Sequence, residues 1–216
     1  MFVNRPLIGV PMRRTAFVVL LASLSFAGLA RADSASTDPK NAPAGAYQIE
    51  TRHTQVLFAI PHLGITDFYG RFERISGTLN FNPGAPEKSS VSVSVDTASA
   101  NVPSEELTRA LAGADVFDSM NFPTATFKSS AVERTGPTTG KMTGDLTIHG
   151  VTKTVTFDVT FNGGLPAPMG AAYDIGFHAT TVIKRSQFGL DKMMWASFVG
   201  DDVKLIIEAM FQQQKA

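Results

Sequence analysis

The sequence predicts an all-β protein: a single antiparallel barrel of about eight strands with one short helix inserted. Three observations carry this. Apolar and polar residues alternate with a period of two through eight separate segments, as half-buried strands do. Turn signals such as Asn82-Pro83-Gly84, Gly136-Pro137 and Asn162-Gly163-Gly164 lie between most of them. Gly70, Gly77, Gly144 and Gly176 fall inside or beside the segments, where glycine permits the sharp bends of a closing sheet. Long helical periods do not alternate with the strands, which argues against a doubly wound fold.

The first 32 residues read as a leader. Arg13 and Arg14 precede the apolar run Thr15 to Ala30, and Ala30-Arg31-Ala32 offers small residues at a cleavage site. A basic start, a short apolar middle and a small-residue exit describe a secretory signal peptide. The run is shorter than the roughly 20 residues of a membrane span. Cleavage would leave 184 of the 216 residues, enough for one domain with a sizeable core. The segment removes four Arg from the 19 basic residues, leaving 15 against 19 acidic side chains and a net charge near −4. With no cluster of Lys and Arg to neutralise phosphates, nucleic acid is not an expected partner. The chain has no Cys, so thiolate chemistry and disulfides are excluded. Residues 33–46, rich in Ser, Ala, Pro and Asp and without periodicity, read as a flexible linker.

From Tyr47 the strand period takes over. Val56, Phe58, Ile60 and His62 share one face, as do Ile75, Gly77, Leu79 and Phe81, then Val91, Val93 and Val95. Between Asn101 and Pro123 the series is interrupted by a helix: Ser104 is a capping residue, Glu105 and Glu106 suit the first turn, and Gly113 can end it. Strands resume with Ala125, Phe127 and Ser129. Met142, Leu146 and Ile148 precede a His149-Gly150 turn, and Val155, Phe157, Val159 and Phe161 follow it. Ile175 to Ile183 and Val203 to Phe211 complete the set.

What the apolar faces cover is the functional question, because an eight-stranded barrel is just wide enough to be filled by side chains or to hold one ligand. The chain has 16 Phe, three of them in the leader, against one Trp and three Tyr. Phe58, Phe72, Phe81, Phe127, Phe157 and Phe177 lie on apolar strand faces, and Phe117, Met120 and Phe122 follow the helix, where a barrel mouth could be covered. Phe carries no polar handle, so a lumen lined by it suits a hydrocarbon, at about 0.8 kcal/mol gross per buried CH₂. Phe on an inner face is also ordinary core, and residue pattern alone does not separate the two. His53 and His62, nine apart, point to opposite faces. His149 sits in a turn and His178 on a polar face, so metal-ligand spacing is absent. His62, on the inward face, can hydrogen-bond a ligand head; Arg185, at a strand end, is either an ordinary solvated side chain or the partner of an anionic head at a barrel rim. No nucleophile elbow or phosphate loop is present, and no cofactor is expected.

A set of motifs resembles the YceI-like proteins, periplasmic lipocalin-like barrels that bind polyisoprenoid or other long-chain lipids. They are Tyr47-x-Ile49 with Arg52-His53-Thr54-x-Val56-x-Phe58, His62-Leu63-Gly64, Gly70-Arg71-Phe72, and Gly77-Thr78-Leu79-x-Phe81. Further on come Asp115-Val116-Phe117-Asp118, Pro123-x-Ala125-Thr126-Phe127-x-Ser129, Gly144 to Lys153, and Arg185-x-x-Phe188-Gly189-Leu190. The likeness runs from Tyr47 to about Phe211. The helix departs from the family pattern: Thr108-Arg109-Ala110-Leu111 lacks the usual Asp and His, and Val116 replaces a Phe. The resemblance implies a lipocalin-like barrel over 47–213 that is hollow, with a lipid tail along its axis. The expected contacts are Phe58, Ile60, His62, Phe72, Leu79, Phe81, Val93, Phe117, Phe122, Phe127, Leu146, Phe157, Phe177 and Arg185. The expected function is a non-catalytic periplasmic carrier of a long-chain isoprenoid lipid, a prenyl quinone or a polyprenyl phosphate, without stable membrane insertion. A homodimer is left open. An outer-membrane barrel and a sealed barrel serving as a protein-interaction module are the alternatives.

Overall fold

Residues 34–167, 172–192 and 195–214 are described by the computed structural model, and the expected leader lies outside them. The alternating segments form β1 (Gly45–Ile49), β2 (Gln55–His62), β3 (Thr66–Phe72), β4 (Ile75–Phe81), β5 (Ser90–Asp96), β6 (Ala100–Asn101), β7 (Thr124–Arg134), β8 (Thr139–Ile148), β9 (Val151–Pro166), β10 (Tyr173–Lys184) and β11 (Asp202–Gln213). One α-helix, α1 (Glu105–Ala112), interrupts them. Strands β1, β4, β5, β7, β8, β9, β10 and β11 pair antiparallel in that order, and β1 pairs back onto β11 to close an eight-stranded barrel. The remaining strands continue the first three staves. β2 follows β1 along the same edge of β11, β3 leads into β4, and β5 leads through residues 97–99 into β6.

The eight expected staves are therefore present in meander order, and three are bent where backbone groups leave the ladder. At the first bend the Thr54 hydroxyl donates to the Met210 carbonyl and accepts from the Met210 amide, at 3.2 and 3.0 Å. At the second and third, Ser99 Oγ accepts from the Glu73 and Arg74 amides and donates to the Asp96 carbonyl. Side chains of short polar residues thus stand in for missing ladder partners.

Alternation sorts the faces. Inward positions include Leu79, Phe81, Phe127, Leu146, Phe157, Phe161, Ile175 and Phe211, all buried. The outer face carries cross-strand polar pairs: Thr143 with Thr156 at 2.9 Å, Thr147 with Thr152 at 2.8 Å, Lys141 with Asp158 and Lys184 with Asp202 at 2.7 Å. The His149-Gly150 connection is a two-residue hairpin with φ of 51° and 74°, the positive pair that matches strand twist. Two in-strand glycines make room for rings. A Cβ at Gly144 would lie 2.6 Å from Phe127 Cζ, and one at Gly70 would overlap the Phe58 ring.

The helix begins as expected, with Ser104 Oγ accepting from the Leu107 amide at 3.3 Å, and ends at Gly113. The linker expectation meets a different arrangement. Ser36 exchanges both backbone hydrogen bonds with Gly164 of β9, at 2.8 and 2.9 Å. Residues 39–41 form a single 3-10 turn capped by Asp38, and Ala42 is buried. The stretch from Ser34 lies along the barrel as a strap. Its Pro and Ala suit a loop with few internal hydrogen bonds, which sequence composition does not distinguish from free chain.

Candidate functional site

The barrel interior is not filled. A cavity of about 260 Å³ runs within it, walled by Leu79 and Phe81 of β4, Val91, Val93 and Val95 of β5, Phe127 of β7, Met142 and Leu146 of β8, Phe157, Val159 and Phe161 of β9, Phe177 and Ala179 of β10, and Leu205, Ile207, Ala209 and Phe211 of β11. The rings pack against one another along the wall. Phe177 meets Phe161 at 5.4 Å, Phe81 at 6.0 Å and Phe211 at 6.1 Å between centroids, and Phe127 meets Phe157 at 5.1 Å. These edge-on contacts turn ring edges to neighbouring faces and leave the axis open. A dry apolar cavity of about 150 Å³ already takes up benzene, so this one has room for hydrocarbon.

Half of the residues expected as contacts are brought together here: Leu79, Phe81, Val93, Phe127, Leu146, Phe157 and Phe177 line the cavity. The other seven lie outside its lining. Phe58, Phe72 and Phe117 meet in series, tilted and edge-on, with centroids 5.8 and 5.5 Å apart, and close one end of the barrel together with Leu111 of α1, Val116 and Phe188. Phe58 and Phe72 share inward parity with the lumen, whereas Phe117 comes from the turn after α1, and the three meet where the bent β2–β3 segment meets the helix. Ile60 and His62 lie beyond that plug, and His62 forms an isolated bridge with Val199. Phe122 packs at a tilt against His149, 4.4 Å between centroids, supporting the hairpin turn.

Arg185 is buried at 8% exposure, and its guanidinium is committed to main chain. Nε donates to Gly200 O, Nη1 to Leu190 O and Nη2 to Ala196 O, each at 2.8 Å, and Nη2 also reaches Val199 O at 3.1 Å. The expectation of a rim arginine free to meet a head group is corrected by this geometry: the fork clamps the long β10–β11 connection. A strand-end Arg near loops satisfies buried carbonyls that have no ladder partner.

The opening is at the end opposite to the one expected. The helix and the segment carrying Phe117 and Phe122 seal their end, whereas the cavity reaches the surface between the strap and the β4–β5 and β7–β8 turns, at Pro39, Lys40, Pro83, Pro86, Arg134 and Pro137. Sequence reasoning missed these mouth residues, which belong to loops without periodicity. Val159, Phe161, Ile207, Ala209 and Phe211, which the period of two places on inward faces though not among the fourteen expected contacts, line the cavity as well.

Tyr47 and Glu50 are the titrating groups displaced furthest from their ordinary values among the described residues. Burial pushes the Tyr47 hydroxyl up to about 12, with the nearby Tyr173 adding to it; its O–H donates to Pro43 O at 2.7 Å. Burial also pushes the Glu50 carboxyl up, but hydrogen bonds from the side chains and amides of Arg52 and His53 outweigh it and hold the group at about 2. Glu50 thereby organises the first stave bend, outside the cavity. Among the described residues no group of three or more His, Asp or Glu is placed to hold a metal ion.

Comparison with known proteins agrees in sequence and in fold. The YceI-like domain model matches residues 47–211. A UPF0312 protein of Pseudomonas putida (strain W619) is 41% identical over 151 residues, covering 69% of this chain and 78% of the relative. The crystal structure of Burkholderia cenocepacia BcnA superposes with a TM-score of 0.66 at 29% identity, covering 75% of this chain and 98% of that one. A Campylobacter jejuni YCEI protein gives 0.64 at 30% identity, covering 71% and 90%. A domain from Saccharophagus degradans, described as polyisoprenoid binding, gives 0.62 at 14% identity over 80% and 100%, a likeness of fold.

Proposed function

This chain belongs to the YceI-like family, and from that premise we propose that it is a non-catalytic carrier that holds a long-chain isoprenoid lipid in its barrel. The observation that carries the reading is the cavity of about 260 Å³, walled by aliphatic and Phe side chains and open at one end. A tail threaded along the axis would cover those side chains. Each CH₂ moved from water contributes about 0.8 kcal/mol gross, set against an association cost of at least about 4 kcal/mol. A chain of three isoprene units, about 15 carbons, gains about 12 kcal/mol gross by burial, within the range of about 4–15 kcal/mol for that cost, and each further unit adds to the surplus.

The leader supports export, so the carrier would work in the periplasm as a soluble protein after cleavage near Ala32. The outer face favours this over an outer-membrane barrel. Its Thr–Thr and Lys–Asp pairs are the reverse of the apolar band that a lipid-facing barrel presents. The sealed interaction module is disfavoured by the open axis.

The test is native mass spectrometry of protein prepared from periplasm by osmotic shock, followed by addition of a prenyl alcohol of defined length. The expected result is a co-purifying lipid mass, or stoichiometric uptake of the alcohol that strengthens with each isoprene unit. Bare protein across preparations, with no uptake at any length, would overturn the reading, and retention in the membrane fraction would overturn the soluble carrier.

A further inference from the structure

The cavity's chemistry changes abruptly at its mouth. Inside, the wall is apolar apart from Thr54, whose hydroxyl is already engaged with both backbone groups of Met210, and the main chain at Thr126, whose side chain turns outward beside the inward Phe127. A polar head group therefore finds little to meet along the axis. At the mouth charged residues line the opening: Lys40 on the strap and Arg134 at the end of β7, with Glu133 and Lys141 beside them.

Arg134 is there because of a register shift. Up to Phe127 the inward residues of β7 are odd-numbered, with Phe127 opposite Leu146. The irregularity between Ser129 and Ala131 puts Val132 opposite Met142 and Arg134 opposite Gly140, which moves the even-numbered residues inward, as a bulge does. Its Nε and Nη2 donate to Gly136 O and Pro137 O at 2.8 and 3.3 Å, which steadies the fork at the rim with donors to spare. Lys40 is steadied by its own turn, its amide donating to Asp38 Oδ1 at 3.0 Å. Neither side chain is ion-paired among the described residues. The other charges at this rim, Glu133 and Lys141, face each other across the β7–β8 ladder on the outer side, and Lys141 pairs with Asp158 at 2.7 Å.

We propose that this mouth selects a lipid with a phosphate-type anionic head, bound between Lys40 and Arg134 while the tail occupies the cavity. The proposal rests on the reading of the lumen as a lipid site and names the class of lipid within it. Arg offers a planar fork matched to phosphate oxygens and Lys a second point charge. A quinone or an alcohol of equal length has no charge to meet them.

The experiment compares geranylgeranyl monophosphate with geranylgeraniol, both below their aggregation limits, by titration calorimetry on delipidated full-length mature protein. The phosphate is expected to bind about tenfold or more tightly at low ionic strength, a gap of the size expected for one charge-assisted hydrogen bond, narrowing in high salt. In the Lys40→Gln, Arg134→Gln double variant the preference should fall at least about fivefold with affinity for the alcohol unchanged. Both side chains are exposed, so an unchanged thermal midpoint confirms folding. Equal affinities in the wild type, or a double variant that weakens both ligands alike, would overturn the head-group assignment while leaving the tail site intact. Failure to bind either ligand would overturn the lipid site and the assignment with it.

Discussion

Filling the lumen distinguishes a tunnel from a core by the sign of the effect. Ala179 sits midway along β10, buried at 7% exposure, opposite Val159 and Ile207, and lines the cavity with both of them. Ala179→Leu adds roughly three methylene equivalents, worth about 2.4 kcal/mol if they enter space already enclosed. Ordering the new side chain costs about 0.5–1 kcal/mol, so the delipidated protein should gain about 1.5 kcal/mol, or about 3–6 °C in Tm for a domain of this size. In a packed interior the same change would cost about 1–3 kcal/mol by overpacking. The gain has a functional cost, because the new carbons occupy volume the tail needs. Prenyl alcohol affinity should drop at least about tenfold, within the transfer energy of the displaced carbons. Urea unfolding of delipidated protein and calorimetric titration of the alcohol provide the two readings. A destabilised variant with undiminished binding would refute the reasoning, since it would mean that Ala179 faces packed side chains and the lipid lies elsewhere.

Three further perturbations test other parts of the molecule. Arg185→Lys removes the fork that serves four carbonyls and should destabilise by about 3 kcal/mol or more, with faster amide exchange through residues 189–200; an unchanged Tm would show that the clamp is dispensable. For Glu50 the folded value of about 2 lies below the ordinary 4.5, so its contribution is present above about pH 4.5 and is lost as pH falls toward 2. Glu50→Gln should lower stability at pH 6 and flatten its decline between pH 5 and 2, as read by urea midpoints across that range; parallel curves for the two proteins would contradict the assignment. Ser36→Pro deletes the amide that donates to Gly164 and should loosen the strap that carries Lys40, speeding lipid release in stopped-flow exchange while the Tm shifts by about 1 kcal/mol equivalent or less.

The comparison of sequence with structure can be made stave by stave. Alternation named the inner face correctly along β4, β5, β8, β9, β10 and β11, because a strand's period of two is local and survives any arrangement of neighbours. The His149-Gly150 hairpin and the Ser104-capped helix were legible for the same reason, each being set within a few residues. Gly70 and Gly144 are legible in the sequence as strand glycines, but their role is to receive the Phe58 and Phe127 rings, contacts that sequence does not display.

What the sequence determined by itself is the class of the fold, an eight-stave antiparallel barrel with one helix, and which apolar side chains of the regular strands turn inward. Tertiary structure decided which of those inward residues face empty space. Phe58, Phe72 and Phe117 have the same character as Phe81 and Phe177, yet the first three form a plug and the last two a wall. The difference arises where the bent staves bring β2 and β3 under α1, and that meeting joins segments separated along the chain. The end that opens, the inward turn of Arg134 and the binding of Arg185 to loop carbonyls follow from the same long-range register. Local periodicity fixes a side chain's face, and only the packing of remote elements fixes what lies across from it.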